Sequence, residues 1–514
     1  MSGSTGGLCT GIDSAAARCC HPVKTSPDDL DDADDLDDAD EPSGAISAAE
    51  GAGVDGVADV SGPEVPRFPG GFLWGVSTSA FQIEGAVDED GRGPSAWDAF
   101  TARPGSVKDG SDAAVAAGHY HRWPEDLALL RELGAGAYRF SVSWPRVLPS
   151  GSGAVNGPGL DFYDRLVDAL CEAGIQPVPT LFHWDTPQAL EERGGWLERD
   201  TARLFADYAD TVAARLGDRI THWVTLNEPA EVTLLGYGLG QHAPGRRLLF
   251  DALPAAHHQL LGHGLAVRAL RARGARSIGV ANSHGPVWPL SDGETDREAA
   301  ELYDLLTNRM FADPLLLGRY PDEGLAALLP GPVADDLKAI GEPLDWYGVN
   351  YYQPTLVGAP APESQAGEFA GIGLPGELPF GIREIPGKER TGSGWAVVPE
   401  GLPETLRTFC ARYGDRLPPV MITENGCAYP DPVHDRERVA FLRAHLRALH
   451  EAVAEGIDVR GYFVWSLLDN FEWAEGYRPR FGLVHVDYQT LERTPKDSFR
   501  WLRAVLREQR GSSR

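Results

Sequence analysis

From Phe68 onward the chain alternates short apolar runs with longer amphipathic stretches, and it does so eight times. The runs are 72–78, 137–143, 176–183, 222–227, 277–282, 346–351, 420–424 and 461–465. Amphipathic stretches at 126–133, 162–173, 200–216, 260–273 and 436–454 lie between them. Short runs that are apolar on both faces suit strands buried on both sides, and helices between them supply the crossovers that parallel strands need. Eight repeats of this unit predict an α/β chain folded as a single (β/α)8 TIM barrel over residues 66–508. Residues 1–65 differ in composition, and the nearly all-acidic run at 28–41 predicts a disordered acidic extension. Residues 509–514 are expected to be a flexible tail.

A barrel of this kind gathers its chemistry at the C-terminal ends of its strands. The residues that close the runs are therefore informative. Gln82 follows the first, Arg139 and Trp144 come late in the second, and His183 and Trp184 close the third. Asn227 and Glu228 close the fourth, Asn282 the fifth, Asn350 and Tyr352 the sixth, Glu424 the seventh and Trp465 the eighth. Either glutamate alone reads as a solvated turn residue, because Pro229 follows one and Asn425-Gly426 the other. Together, at the ends of the fourth and seventh strands of one barrel, they form the carboxyl pair that glycosidic bond cleavage requires.

Composition removes other classes. A formal charge of −29 repels nucleic acid. No apolar run is long enough to span a bilayer, so no membrane partner is expected. Six scattered cysteines follow neither a disulfide nor a zinc spacing, and residues 1–20 lack the pattern of a secretory signal, which together point to a reducing cytoplasmic setting. The glycines from Gly236 to Gly240 lack the spacing of a nucleotide loop, and His119, His121, His257 and His258 lack a clustered partner. Neither a cofactor nor a metal is expected.

Several longer strings carry a resemblance. Residues 72–86, Phe-Leu-Trp-Gly-Val-Ser-Thr-Ser-Ala-Phe-Gln-Ile-Glu-Gly-Ala, resemble the N-terminal signature of glycoside hydrolase family 1, the β-glucosidase family. Residues 138–146, 182–187, 225–229, 236–238, 242–245, 422–426, 461–469 and 481–488 match its further motifs in order, so the likeness runs from about residue 66 to 506. It implies a retaining mechanism with Glu424 as nucleophile and Glu228 as acid/base. Arg139 and Tyr352 resemble the groups that hold the nucleophile ionised. Asn227 resembles the donor to the sugar 2-hydroxyl, and Asn350 a further residue of the catalytic centre. Gln82, His183, Trp184, Glu472 and Trp473 resemble the hydroxyl-binding set, Trp465 the platform beneath the sugar, and Phe481 belongs to the same substrate-binding group.

The implied activity is hydrolysis of terminal non-reducing β-D-glucosyl residues of cello-oligosaccharides and of aryl or alkyl β-glucosides. β-Galactosides and β-fucosides are expected as further substrates. The alternatives are a non-catalytic sugar-binding barrel, which two intact glutamates disfavour, and a transglycosylase. A sugar 6-phosphate would meet the charge of Glu472, so an unphosphorylated glycoside is expected. Where the family carries tryptophan after Asn-Glu-Pro this chain has Ala230, which bears on the leaving-group side. Cys427, next to the Glu424 motif, reads as a small apolar filler. The oligomeric state is left open.

Overall fold

The structure, a computed structural model, describes residues 64–360, 378–431 and 433–511. The acidic run at 28–41 lies outside the described residues. Eight parallel strands close into a barrel in chain order. They are β1 (Leu73–Ser77), β2 (Ala137–Ser141), β3 (Gln176–Phe182), β4 (Trp223–Asn227), β5 (Ile278–Ser283), β6 (Tyr347–Asn350), β7 (Val420–Asn425) and β8 (Val459–Trp465). Closure comes from β8 against β1, with Leu73 opposite Gly461 and Ser77 opposite Trp465. Each expected run contains its strand or overlaps it closely.

The barrel interior is filled rather than open. Ala137, Val178, Val224, Ala281, Trp346, Met421 and Phe463 form one buried cluster with Leu73 packed against it, so each strand or its first flanking residue contributes one side chain. Two large rings fit because glycines face them. A Cβ on Gly75 would lie 2.3 Å from the Phe463 ring, and one on Gly279 2.5 Å from Trp346. Outside the barrel, the helix Asp200–Leu216 buries Leu204, Phe205, Tyr208, Ala209, Val212 and Leu216 along one side. That side packs against the helix Leu253–Ala272. The amphipathic spacing in the sequence is the cause of this arrangement.

Two features depart from the sequence reading at the edges. The last helix, Asp497–Arg510, passes the expected boundary at 508. Gln509 is tied down at both ends of its amide: the Phe68 N–H donates to Oε1 at 3.0 Å, and Nε2 donates to the Pro66 carbonyl at 3.0 Å. At the other end, Val65 and Phe68 already belong to the apolar core. Small sheets also form on the loops beyond the strand ends. Val287–Pro289, Thr355–Gly358 and Gly381–Arg383 make one, and Val484–Val486 with Arg493–Pro495 another. Strands of three or four residues are too short to leave a periodic signal.

Near the C-terminal rim, the regular pairing breaks at two strands. The β4–β5 register shifts between Val224 and Asn227. β7 slips against β6 between Ile422 and Glu424, and against β8 between Ile422 and Asn425. Such irregularities re-aim the side chains that follow them. They fall on the two strands whose ends carry Glu228 and Glu424.

The close glycine contacts generate a stability prediction. Gly75→Ala places a methyl inside the Phe463 ring's volume, and overpacking of this kind costs about 1–3 kcal/mol. A lower denaturant midpoint in equilibrium unfolding is the expected result.

Candidate active site

Arg139, midway along β2, is fully buried and branches to three other strands of the barrel. Its Nε donates to Thr180 Oγ1 at 3.1 Å, and its Nη2 to Asn227 Oδ1 at 2.6 Å. Its Nη1 donates to Glu424 Oε1 at 2.6 Å and to the Thr423 carbonyl at 3.1 Å. Tyr352, just after β6, donates its hydroxyl to the other Glu424 oxygen at 2.7 Å. Glu424 is therefore held by a cation on one oxygen and a phenol on the other.

Glu228 has a different environment. Asn350 Nδ2 donates to its Oε1 at 2.8 Å and Asn227 Nδ2 to its Oε2 at 3.2 Å. Both partners are neutral amides, and no ion pair to Glu228 is found among the described residues. Burial raises both carboxyls above the ordinary range. For Glu424, Arg139, Tyr352 and Asn350 oppose the rise. For Glu228, burial is reinforced by the charges of Glu424 and Glu231, and the carboxyl stands well above its ordinary value. The rise is opposed at Glu424 and reinforced at Glu228.

The backbone aims these groups. Trp184, Glu228 and Trp473 adopt φ values of 74°, 45° and 54°, the left-handed region that residues with a Cβ rarely occupy. Each turns the chain sharply beside the cavity. The Glu228 N–H stays satisfied by the Ala281 carbonyl at 2.8 Å. Trp184 Nε1 donates to the Asn227 carbonyl at 3.0 Å, which fixes that indole against the base of the site.

The remaining expected residues converge on the same place. His183, Trp184, Glu228, Tyr352, Glu424, Trp465, Glu472, Trp473 and Phe481 line a cleft of ≈ 1960 Å³. Arg139, Asn227, Asn350 and Gln82 stand behind that wall. Gln82, in the turn after β1, donates through Nε2 to the Phe471 carbonyl at 3.0 Å and to Glu472 Oε2 at 3.3 Å. His183 is kept neutral, because burial and then Arg139 push its pKa well below the ordinary value. Its ring lies nearly parallel to Trp465, with centroids 5.7 Å apart. Phe481 packs with Trp395, which in turn meets Tyr352.

Not every rim residue reaches the cleft. Asn282 donates to the Tyr347 hydroxyl at 2.7 Å, and Trp144 is buried in stacking contact with Tyr208. The glycines from Gly236 to Gly240 belong largely to a wide helical turn, Val232–Leu239, and not to a phosphate loop. Among the described histidines, His257 bonds Tyr320 and Asp336, and His258 bonds the Trp196 carbonyl. Cys427 is fully buried, and burial pushes its thiol up to about 12.

Three features escaped the sequence. Trp395 sits on a loop with no local pattern to mark it. Arg438 ties the loops after β7 and β8 together, donating to the Cys427, Phe481 and Arg480 carbonyls. Glu231 lines the cleft three residues after Glu228.

The phosphate argument changes form. Burial, with Glu424 and Glu475 behind it, lifts Glu472 to about 8, so near neutral pH its carboxyl does not repel an anion by charge. Two of the cations nearby are already engaged. Arg480 is committed to Asp469 at 3.1 Å and to the Val486 carbonyl at 2.8 Å. Lys496 is buried against Asp469 at 2.7 Å.

The sequence profile of "Glycosyl hydrolase family 1" matches residues 65–511. The chain belongs to that family. It is 46% identical over 477 residues to "Thermostable beta-glucosidase B" of Thermobispora bispora, covering 90% of this chain and 94% of that one. "Bifunctional beta-D-glucosidase/beta-D-fucosidase" of Bifidobacterium breve is 45% identical over 85% of this chain and 98% of its own. Among solved structures, the psychrophilic β-glucosidase of Micrococcus antarcticus superposes with a TM-score of 0.82 at 46% identity, covering 86% of this chain and 98% of that one. The Thermotoga maritima family 1 β-glucosidase in complex with isofagomine lactam gives 0.81 at 42%, over 87% and 100%. No helix among the described residues is long and apolar enough to cross a membrane.

The Arg139–Glu424 pair sets the next prediction for this family 1 barrel. Arg139→Met strands Glu424 without its cation, and breaking a buried pair costs about 3–5 kcal/mol unless the acid takes up a proton. Glu424 should rise further, so any activity that needs it ionised begins at higher pH. The expected outcome is an acid limb of kcat/KM moved up by about one unit or more, read from a full pH profile.

Proposed function

We propose that the chain is a retaining β-glucosidase in which Glu424 attacks the anomeric carbon and Glu228 serves as acid and then base. The observation that carries this reading is the asymmetry of the two carboxyls. Glu424 touches Arg139 and Tyr352, whereas Glu228 touches only amides and faces the charge of Glu424. A nucleophile must be ionised and oriented, and a general acid must arrive protonated.

The cycle follows from that asymmetry. Glu424 displaces the leaving group and forms a covalent glycosyl ester, while the Glu228 proton goes to the departing oxygen. Ester formation removes the Glu424 charge, so one of the causes that hold the proton on Glu228 vanishes. Glu228, now ionised and a weaker proton holder, takes a proton from water, which attacks the anomeric carbon and releases sugar and Glu424. The acid limb belongs to Glu424 and the alkaline limb to Glu228, although the two titrate as a coupled pair.

The substrate reading is an unphosphorylated β-glucoside with its glycone between His183, Glu472 and Trp473, above Trp465, with Gln82 behind Glu472. Names of relatives support it: they include β-glucosidases, "1,4-beta-D-glucan glucohydrolase" and a glucosidase/fucosidase. Cello-oligosaccharides and aryl or alkyl glucosides are the expected class, with fucosides and galactosides as secondary substrates. The proposed setting is reducing and cytoplasmic; among the described residues Cys171, Cys410 and Cys427 form no disulfide.

Two experiments test the reading. Glu424→Gly should lose activity on an aryl β-glucoside by several orders of magnitude, with azide restoring it and yielding the α-glucosyl azide. A β-azide, or an unimpaired variant, would sink the assignment. In a kinetic panel of aryl glucoside, galactoside, fucoside, 6-phosphoglucoside and cellobiose, the glucosides should lead and the phosphate should be poor. Preference for the phosphate would overturn the substrate reading.

A further inference from the structure

Directly after Glu228 the chain builds an apolar wall along the cleft. The wide helical turn Val232–Leu239 follows the short turn Pro229–Glu231 without a break. It presents Leu234, Leu235 and Leu239 to the cleft, each half-buried. The next segment folds back alongside: the Arg246 N–H donates to the Gly236 carbonyl and the Leu248 N–H to the Tyr237 carbonyl, both at 3.0 Å. Leu249 then turns in the left-handed region, with φ 51°, and both it and Phe250 line the same cleft. Phe250 is 42% exposed, more than any other phenylalanine, tyrosine or tryptophan among the described residues. A row of leucines ending in an open ring beside a strained turn has the character of a binding surface.

Two arginines stand at the far end of this wall. Gly240 closes the wide turn, and a Cβ on it would lie 2.8 Å from the Arg246 carbonyl oxygen, so Arg247 follows just beyond. Arg103, on the turn after the helix Ala96–Thr101, donates through Nη1 to the Pro244 carbonyl at 3.0 Å. A Cβ on Gly245 would lie 2.6 Å from that nitrogen, which presses the guanidinium against the chain two residues before Arg247. Both arginines are exposed and line the cleft. Among the described residues, neither forms an ion pair with a carboxylate. Arg246 between them is spent on Glu191 at 3.0 Å, and Glu475 in the same lining is taken by Lys108 at 2.7 Å. Glu228, Glu231 and Glu424 stand at or just beyond strand ends, where the wall begins rather than where it stops. In a chain of formal charge −29, two open guanidiniums make a local spot of the opposite sign.

We propose that the leaving-group half of the cleft recognises an aromatic carboxylic acid, its ring against Leu234, Leu235 and Phe250 and its carboxylate between Arg103 and Arg247. This rests on the β-glucosidase reading and names the leaving group for it. Order along the chain sets the geometry. Glu228 gives its proton to the glycosidic oxygen, the wall begins at once, and its eight helical residues carry it roughly 10 Å farther. A phenol bearing a short carboxylate arm spans such a distance. Ala230 lines the cleft where the wall starts, and a larger side chain there would narrow it. A second sugar would need hydrogen-bond partners, which leucine and phenylalanine side chains do not offer. A guanidinium, in contrast, matches a planar carboxylate through two parallel N–H groups.

The test compares two β-glucosides of one phenol, 3-(4-hydroxyphenyl)propanoate and its amide, at neutral pH. The saturated arm insulates the phenol from the charge, so both leave with equal ease and KM reports the contact. The parent should show a KM for the acid about fivefold or more below that for the amide at low salt, with the ratio shrinking as salt is added. When Arg103→Gln and Arg247→Gln are combined, the ratio should fall to about one. Phe250→Ala should raise the KM of the amide by a larger factor than that of methyl β-glucoside. Equal KM values for acid and amide in the parent overturn the proposal, as does a ratio that survives the loss of both arginines. A KM for cellobiose below that of both aryl glucosides would assign the wall to a second sugar and overturn it too. If acid, amide and methyl glucoside were all left uncleaved, the β-glucosidase reading itself would fall.

Discussion

The buried guanidinium of Arg139 is the interaction on which the site depends. One side chain from β2 meets Thr180 on β3, Asn227 on β4 and both Thr423 and Glu424 on β7. A cation so deprived of water is tolerable only when its donors find acceptors, and here those acceptors come from across the barrel mouth. Arg139 therefore does two things at once. It ties distant strands at the rim, and it holds one glutamate toward the ionised form. Through Asn227, which also donates to Glu228 Oε2, the same network reaches the second glutamate without giving it a positive partner. The difference between the two carboxyls follows from where this one charge is spent.

Around that centre the backbone departs from regularity where the chemistry needs it. Pairing slips on β4 and β7 just before the glutamates, and Trp184, Glu228 and Trp473 sit in the left-handed region. Regular strands would send successive side chains alternately inward and outward. The site instead gathers Asn227 and Glu228 together, and likewise Thr423 and Glu424. Stability for these departures comes from the packed floor below, where rings such as Phe463 and Trp346 fill the barrel.

Much of this was legible in the chain. Val420 to Glu424 and Trp223 to Asn227 read as strands because β-branched and apolar residues run without interruption, and the helix Arg436–Ala454 reads from its amphipathic spacing. The rim residues followed from asking what stands where each run ends. That rule led to Glu228, Glu424 and Arg139, which the structure gathers at one end of the barrel, and also to Asn282 and Trp144, which turn away to Tyr347 and Tyr208, because position at a strand end does not say which way a side chain turns. Trp395 and Arg438 left no trace, since they act from loops whose course depends on distant partners. The Glu472 charge was misjudged because burial beside Glu424 lifts its pKa, a property of neighbours rather than of the residue.

The sequence by itself determined the alternation of strand and helix, hence the barrel, and it determined which residue types stand at its rim. Those properties are local, set by periodicity and by the residues that interrupt it. Only the tertiary structure decided the rest: which oxygen of Glu424 faces Arg139, and why Glu228 keeps company with amides. Hydrogen bonds and charges between residues hundreds of positions apart depend on distance and burial, and those exist only once the barrel has closed.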